Sequence, residues 1–174
     1  MLLQRLFTRA SHGPDPREAL RPLWHKVVEI ARNPAFYRDD GVADTVAGRF
    51  DMITAVLSIV LLRMERDRVL ARESALLTEL FVEDMDGQLR ESGVGDMIVG
   101  KRMGKLVSVL GGRLGALREA LPGRDGTSLE AALARNVTLA EGRDVAALAE
   151  RLHAFADKVA ALDSKALLAG DIAL

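Results

Sequence analysis

The chain alternates between apolar stripes at helical spacing and short stretches rich in glycine, proline and charge. A first helix is predicted over residues 17–32, where apolar side chains recur every three or four positions and Pro34 follows. Residues 34–41 are predicted as a connection, and the tail from 164 to 174 shows no clear pattern. Four further amphipathic helices are predicted, over residues 73–91, 99–121, 128–135 and 143–162.

The helix predicted over residues 43–68 is apolar on every side. Phe50 and Ile59, for example, mark opposite faces. Such a helix is typical of the centre of a domain. The longest charge-free apolar run is the eleven residues between Asp51 and Arg63, whereas a membrane span needs about 20. The pattern therefore predicts an all-α, single-domain bundle of about six helices around a buried central helix.

Composition supports this interpretation and excludes several classes of protein and site. A chain of 174 residues with 49% hydrophobic and 28% charged residues suits one folded domain and excludes a disordered protein. A formal net charge of −1 argues against a general nucleic-acid binder. The absence of cysteine excludes disulfides and thiolate sites, and three histidines are too few for a histidine-rich metal centre.

Residues 1–10 form a separate amphipathic pattern. Apolar side chains recur at helical spacing, Arg5 and Arg9 stand among them, and no acidic residue occurs. The pattern fits a membrane-surface element, and it also fits a helix that docks on the core or frays. We expect residues 1–16 to be this segment and its linker, and residues 17–174 to form the helical domain.

Motifs that resemble catalytic or metal sites lack residues or structural context that such sites require. Residues 95–101 match most of a phosphate-binding loop, but Arg102 replaces the hydroxyl residue and no strand precedes. Glu150 and His153 have the spacing of a di-iron motif, of which such proteins need two, so an exposed polar pair is the better interpretation. A hydrolase or metal oxidase is therefore the least favoured class.

Charge is segregated between two neighbouring predicted helices. Residues 73–96 carry a net charge of −6, and residues 99–121 carry +4. Asp84 falls in the apolar sector of its helix, where a carboxylate is costly unless it is paired. Arg102 and Arg113 are the candidate partners. Asp84 either forms an ion pair that joins two helices of this domain or contacts a binding partner, and the sequence allows both interpretations.

Small residues form a second stripe on the helix predicted over 99–121. Glycine inside a soluble helix costs about 1 kcal/mol relative to alanine, so several on one face indicate close approach of another backbone. That backbone belongs either to this domain or to a helix accepted from outside. The stripe consists of Gly104, Ser108, Gly111 and Gly115.

Several motifs in one order resemble the ubiquinol–cytochrome c chaperone family. They are an acidic Asp-Met-Asp run at 84–86, a Gly-Val-Gly-Asp loop at 93–96, Lys-Arg-Met at 101–103 and Gly-Arg at 112–113, preceded by Phe-Asp-Met at 50–52. The resemblance covers residues 23–121. It departs from the family where Leu-Gly at 110–111 stands in place of an aromatic pair.

The resemblance implies an all-helical, non-catalytic chaperone without a cofactor, which helps assemble the cytochrome bc1 complex (respiratory complex III). The implied partner is newly made cytochrome b or a bc1 assembly intermediate, with a ribosome or a small partner protein as further contacts. The expected location is the bacterial cytoplasm with peripheral contact to the inner membrane, or the mitochondrial matrix in a eukaryote. A helical adaptor for another soluble protein is the alternative.

Within this interpretation, the partner-binding residues are expected on the two charged helices and the loop between them. They are Phe81, Asp84, Met85, Asp86, Arg90, Gly93, Gly95, Asp96, Lys101, Arg102, Lys105 and Arg113.

Overall fold

The structure is a computed structural model that describes residues 15–91, 99–123 and 127–174. Short 3-10 turns at Pro16–Leu20 and Arg68–Leu70 precede the first and fourth α-helices. The α-helices are α1 (Arg21–Ala31), α2 (Pro34–Arg38), α3 (Val46–Glu65), α4 (Ala71–Glu91), α5 (Val99–Ala120), α6 (Thr127–Asn136), α7 (Ala146–Ala161) and α8 (Ser164–Leu168).

Helix α3 is the centre of the molecule. Every residue from 51 to 61 is buried, and α1, α4, α5 and α7 pack around the helix. Helix α6 contacts α5 and α7, and α8 packs against α1. The prediction of an all-α fold around a buried central helix is confirmed. Its physical basis is the apolar character of α3 on all sides, which only burial on all sides satisfies.

Helix α3 begins three residues later than predicted. Thr45 caps it, because the Thr45 hydroxyl accepts a hydrogen bond from the Gly48 amide at 3.1 Å. Residues 41–43 instead pair antiparallel with residues 138–140, and the Ala43 amide donates to the Thr138 carbonyl at 2.9 Å. The sequence predicts no strand, and this short pairing is a single bridge between Val42 and Leu139.

The predicted connection over 34–41 contains the short helix α2, which Asn33 caps through its side chain. The tail likewise forms helix α8, capped by Asp163. Both helices were missed because five residues are too few to establish a helical period. Each buries one apolar anchor, Phe36 in α2 and Leu167 in α8, so tertiary contact rather than local pattern holds them in place.

An ion pair with a buried carboxylate holds α7 against the segment after α2. The Asp40 side chain is 2% exposed and binds the Arg151 guanidinium, with one nitrogen at 3.1 Å. The hydrogen bond to Asp40 raises the pKa of Arg151 above its ordinary value. This pair fixes the end of the 41–43 segment that pairs with residues 138–140.

Candidate functional site

Two of the predicted partner residues lie in the core. Phe81 is fully buried on α4, and its ring meets Trp24 edge-on at a centroid distance of 6.1 Å. The same ring lies 6.3 Å from the ring of Phe50 on α3. Met85, one turn further along α4, is also buried. These side chains join α1, α3 and α4, and a contact of either one with a partner stays a prediction.

The acidic residues of α4 lie at the edge of the core. Asp84 and Asp86 are half-buried. Asp84 lines a groove of about 610 Å3 between α1 and α4, together with His25 and Arg32. The expected ion pair between Asp84 and Arg113 is not formed, because the Arg113 guanidinium binds a different carboxylate.

That carboxylate is Asp51, on the central helix. Arg113 donates one hydrogen bond to the Asp51 side chain and another to the Thr54 hydroxyl. The second Asp51 oxygen accepts from the amide and the hydroxyl of Thr138, at 2.8 and 2.6 Å. The Arg113 guanidinium also lies over the Phe50 ring, 5.4 Å from its centroid, in a cation–π contact.

This cluster joins α3, α5 and the segment after α6. Both charged side chains are largely shielded from water, with side-chain exposures of 13% for Arg113 and 8% for Asp51. A shielded pair needs full hydrogen bonding to offset the cost of desolvation, and here both carboxylate oxygens and two guanidinium nitrogens are used. Arg113 therefore has a structural role, because its hydrogen bonds join α5 to α3.

Sequence reasoning missed Asp51 as the partner of Arg113. The signal was present, since Asp51 is a charged residue at the start of a long apolar run. A charge at that position requires a partner, as was argued for Asp84. The pairing itself follows from the packing of α5 on α3, which brings residues 62 positions apart into contact.

The outer face of α5 is the exposed part of the site. Lys105 is exposed, and so are Ser108 and Gly111. A Cβ atom added at Gly104, Gly111 or Gly115 would meet nothing within 4 Å in the described part of the chain. The described residues therefore do not pack tightly against this stripe, and its use as a surface for another helix stays a prediction.

Several expected partner residues lie wholly or partly outside the described part of the chain. Gly93, Gly95 and Asp96 lie outside the described residues, as does most of the segment that resembles a phosphate-binding loop. Arg90, Lys101 and Arg102 belong to α4 and α5, but their side chains also lie outside the description. Their contacts with a partner, and the pairing of Arg102 with Asp84, stay predictions.

Arg17 connects the beginning of the described chain to α4. Its guanidinium donates to the Asp15 carboxylate at 2.7 Å and to Glu83 at 3.0 Å. The hydrogen bonds from the Arg17 side chain and amide lower the pKa of Asp15 to about 2. The hydrogen bond to Asp15 also raises the pKa of Arg17.

The Glu150–His153 pair differs from its prediction. Glu150 is exposed, but His153 is half-buried and its Nε2 is enclosed without a hydrogen-bond partner among the described residues. It borders a groove of about 460 Å3 between α3, α5 and α7. Within residues 15–91, 99–123 and 127–174, no group of three or more His, Cys, Asp or Glu side chains is placed to hold a metal ion.

None of the helices in the described ranges is both long and apolar enough to cross a membrane.

Comparison with known proteins identifies similar chains. The model of the family described as "Ubiquinol-cytochrome C chaperone" matches residues 38–174. The crystal structure of the Cbp3 homolog from Brucella abortus is similar, with 33% sequence identity and a TM-score of 0.78 over 90% of this chain and 88% of that one. The comparison with curated proteins gives no match.

Proposed function

Because the chain belongs to the ubiquinol–cytochrome c chaperone family, we propose that it is a chaperone for assembly of the cytochrome bc1 complex. In this role it binds newly made cytochrome b and carries out no catalysis. The observation that carries the proposal is the family match over residues 38–174, supported by a shared fold at 33% identity with a Cbp3 homolog.

The outer face of α5 is the proposed contact for the client. Cytochrome b is an apolar, multi-helix membrane protein, and small residues let helices approach one another closely. On a helical wheel of about 100° per residue, Gly104, Ser108 and Gly111 point away from the buried Leu110 and Leu117. An incoming helix thus meets a smooth surface, with the exposed Lys105 on the same helix.

Charge supplies the orientation in this proposal. The acidic α4 and the basic α5 lie side by side, so a client with both signs of charge has one favoured direction of approach. Asp84 and Asp86 contribute from α4. The other predicted contacts fall in the sequence between the last turn of α4 and the first turns of α5. They are Arg90, Gly93, Gly95, Asp96, Lys101 and Arg102.

The site of action follows from the client. A chaperone for a membrane protein works in the cytoplasm next to the membrane that receives the client, or in the equivalent mitochondrial compartment. Peripheral contact with that membrane, and contact with the ribosome or a small partner protein, are parts of the proposal.

Site-specific photo-crosslinking in the native host tests the client contact. A photo-reactive amino acid replaces Lys105 on α5, and the matched control places it at Lys165 on α8, which is also an exposed lysine. We expect a cytochrome b adduct from position 105, at least several-fold more abundant than from position 165.

Two outcomes contradict different parts of the proposal. Equal adducts from both positions would reject the α5 face but leave the client in place. Capture of a soluble protein instead, together with normal bc1 levels after deletion of the gene, would reject the client and favour a helical adaptor.

A further inference from the structure

The turn between α3 and α4 presents an apolar side chain to solvent. Val69, in the 3-10 turn at Arg68–Leu70, is 79% exposed, whereas its neighbour Leu70 is buried in the core. A single exposed valine is common on protein surfaces, so its significance depends on the residues around it.

Three exposed arginines accompany Val69. They are Arg66, which follows the end of α3, Arg68 and Arg72. Arg72 comes three residues after Val69 and four after Arg68, a spacing that makes side chains neighbours on a helical surface. Within the described part of the chain, the side chains of these arginines form no ion pair or hydrogen bond.

The acidic residues of this turn are bound or turned inward. Asp67 is half-buried, caps the 3-10 turn and accepts a hydrogen bond from the Ser164 hydroxyl at 2.6 Å. Glu65 binds the Arg118 guanidinium through both oxygens, at 2.7 and 3.0 Å. Glu73 is half-buried, and its Oε2 is enclosed. The turn therefore presents mainly guanidinium groups to solvent.

Exposed arginines around an apolar side chain fit the surface of an anionic membrane. The guanidinium group binds phosphate oxygens through paired N–H groups. An apolar side chain beside it can enter the boundary between the lipid headgroups and the acyl chains. RNA also offers phosphates, but it has no apolar phase for an exposed valine to enter. Val69 therefore favours lipid over RNA as the ligand of this turn.

We propose that the turn at residues 66–72 binds anionic phospholipid headgroups at a membrane surface, with the Val69 side chain inserted among them. The inference deepens the proposed function, because it names a surface for the peripheral membrane contact, and it rests on that function for the membrane involved. The amphipathic pattern of residues 1–10 lies outside the described residues and has no part in it.

Such a contact also places α5 relative to the membrane. Arg118 in the last turn of α5 binds Glu65, next to the proposed lipid-binding turn. Lys105 lies thirteen residues earlier, about 20 Å along the same helix. The end of α5 is thus close to the headgroups, with the proposed client surface further along the helix.

Flotation of the full chain with phospholipid vesicles tests the contact. The vesicles contain either phosphatidylcholine alone or phosphatidylcholine with added phosphatidylglycerol, and we expect flotation with the anionic vesicles only. Arg66→Glu, Arg68→Glu and Arg72→Glu in one variant should lower the apparent affinity at least about tenfold, because three attractive charges become repulsive.

The matched control makes the same change in net charge elsewhere on the surface. It reverses three other exposed arginines, Arg32, Arg38 and Arg135, to glutamate. Its apparent affinity should change by less than about twofold, because salt at physiological concentration screens exposed charges beyond about 8 Å. Melting temperatures of both variants confirm that the domain stays folded.

An introduced tryptophan reports on insertion without removing a charge. The chain has one tryptophan, Trp24, which is buried. In Val69→Trp, the fluorescence of the new side chain should be quenched by anionic vesicles whose acyl chains are brominated. Val46→Trp is the control, because Val46 is 88% exposed at the opposite end of α3 and should stay unquenched.

Four results would overturn the proposal. Absence of flotation with anionic vesicles would reject lipid binding, and equal losses in the two reversed variants would reduce it to an effect of net charge. Unchanged flotation after reversal at 66, 68 and 72 would assign membrane binding to another part of the chain. Binding to a single-stranded RNA oligonucleotide without flotation would assign the arginines to nucleic acid.

These vesicle experiments contain no client, so they are separate from the test of the proposed function. Capture of cytochrome b at position 105 together with absence of flotation would reject only the lipid-binding turn. Flotation that depends on the turn, without capture of cytochrome b, would reject the client and retain the membrane contact.

Discussion

At the scale of single residues, the best-satisfied charge in the core is Asp51. Its two oxygens accept from the Arg113 guanidinium and from the amide and hydroxyl of Thr138. These contacts reach α5 and the segment after α6 from the middle of the bundle. One carboxylate thus sets the relative positions of three parts of the chain, and the specificity comes from hydrogen-bond geometry rather than from apolar packing.

We predict that Asp51→Ala lowers the free energy of unfolding by about 3–5 kcal/mol, because it leaves the shielded Arg113 without a counter-charge. Urea denaturation measures the loss. Asp44→Ala is the matched control. Asp44 pairs with Arg49, and both side chains are more than half exposed, so its loss should change the free energy of unfolding little. Similar losses for the two variants would show that the Asp51 cluster contributes no more than a surface pair.

A second prediction concerns pH. The Arg17 hydrogen bonds lower the pKa of Asp15 to about 2 from an ordinary value of 3.8. The ionised carboxylate is thus favoured in the folded state, so its stabilisation is complete above pH 3.8 and is lost as pH falls toward 2. Arg17→Ala should raise the pKa of Asp15 toward 3.8, as measured by NMR titration of the carboxyl carbon.

Arg21→Ala is the control for this titration, because Arg21 acts on Asp15 only through its charge and is the weakest of the causes. It should shift the pKa of Asp15 far less than Arg17→Ala. An unchanged titration after loss of Arg17 would mean that the 3-10 turn at Pro16–Leu20 does not hold the pair in solution.

At the scale of helices, glycine has opposite roles in α3 and α5. A Cβ atom at Gly48 in the first turn of α3 would lie 2.0 Å from the Ala43 carbonyl oxygen. That contact is impossible without moving the backbone that pairs with residues 138–140. At Gly112 on α5, a Cβ atom meets nothing within 4 Å of the described chain. The first glycine is required by the fold, and the second is not.

We therefore predict changes of opposite sign. Gly48→Ala should lower the free energy of unfolding by about 1–3 kcal/mol through overpacking. Gly112→Ala should raise it by about 0.5–1 kcal/mol, because alanine has the higher helix propensity. Thermal unfolding of the two variants beside the natural chain measures both, and a destabilised Gly112→Ala variant would reveal a close neighbour of α5.

Sequence pattern located the long helices because each has an apolar stripe extending over several turns. Helices α3, α4 and α5 begin and end within a few residues of their predicted limits. Helices α2 and α8 were not predicted, since one buried anchor each, Phe36 and Leu167, carries no period. The bridge between Val42 and Leu139 was not predicted for a different reason, because it joins segments 97 positions apart in sequence.

At the scale of the whole molecule, α5 is packed on one side, and its other side is exposed within the described part of the chain. Leu110, Leu117 and Ala120 bury its inner face, while its outer face carries glycines, Ser108 and Lys105. A helix that contributed only to stability would gain from alanine at the open glycine positions. Smooth exposed glycines are consistent with a surface kept free for another helix.

If that surface receives the client, charge reversal there should impair function and leave stability unchanged. We predict that Lys105→Glu lowers the capture of cytochrome b and the level of bc1 complex several-fold, with the free energy of unfolding changed by less than about 0.5 kcal/mol. Lys165→Glu on α8 is the control and should complement a deletion strain fully. Full complementation by Lys105→Glu would remove Lys105 from the contact.

The sequence by itself determined the helical class, the burial of α3 and, through its ordered motifs, the resemblance to a chaperone family. These properties are local or linear, so they can be read along the chain. Only the tertiary structure decided that Arg113 binds Asp51 rather than Asp84, and that Gly104, Gly111 and Gly112 are exposed. Both depend on how helices far apart in sequence are rotated and packed against one another, and the periodicity of one helix does not specify its neighbour.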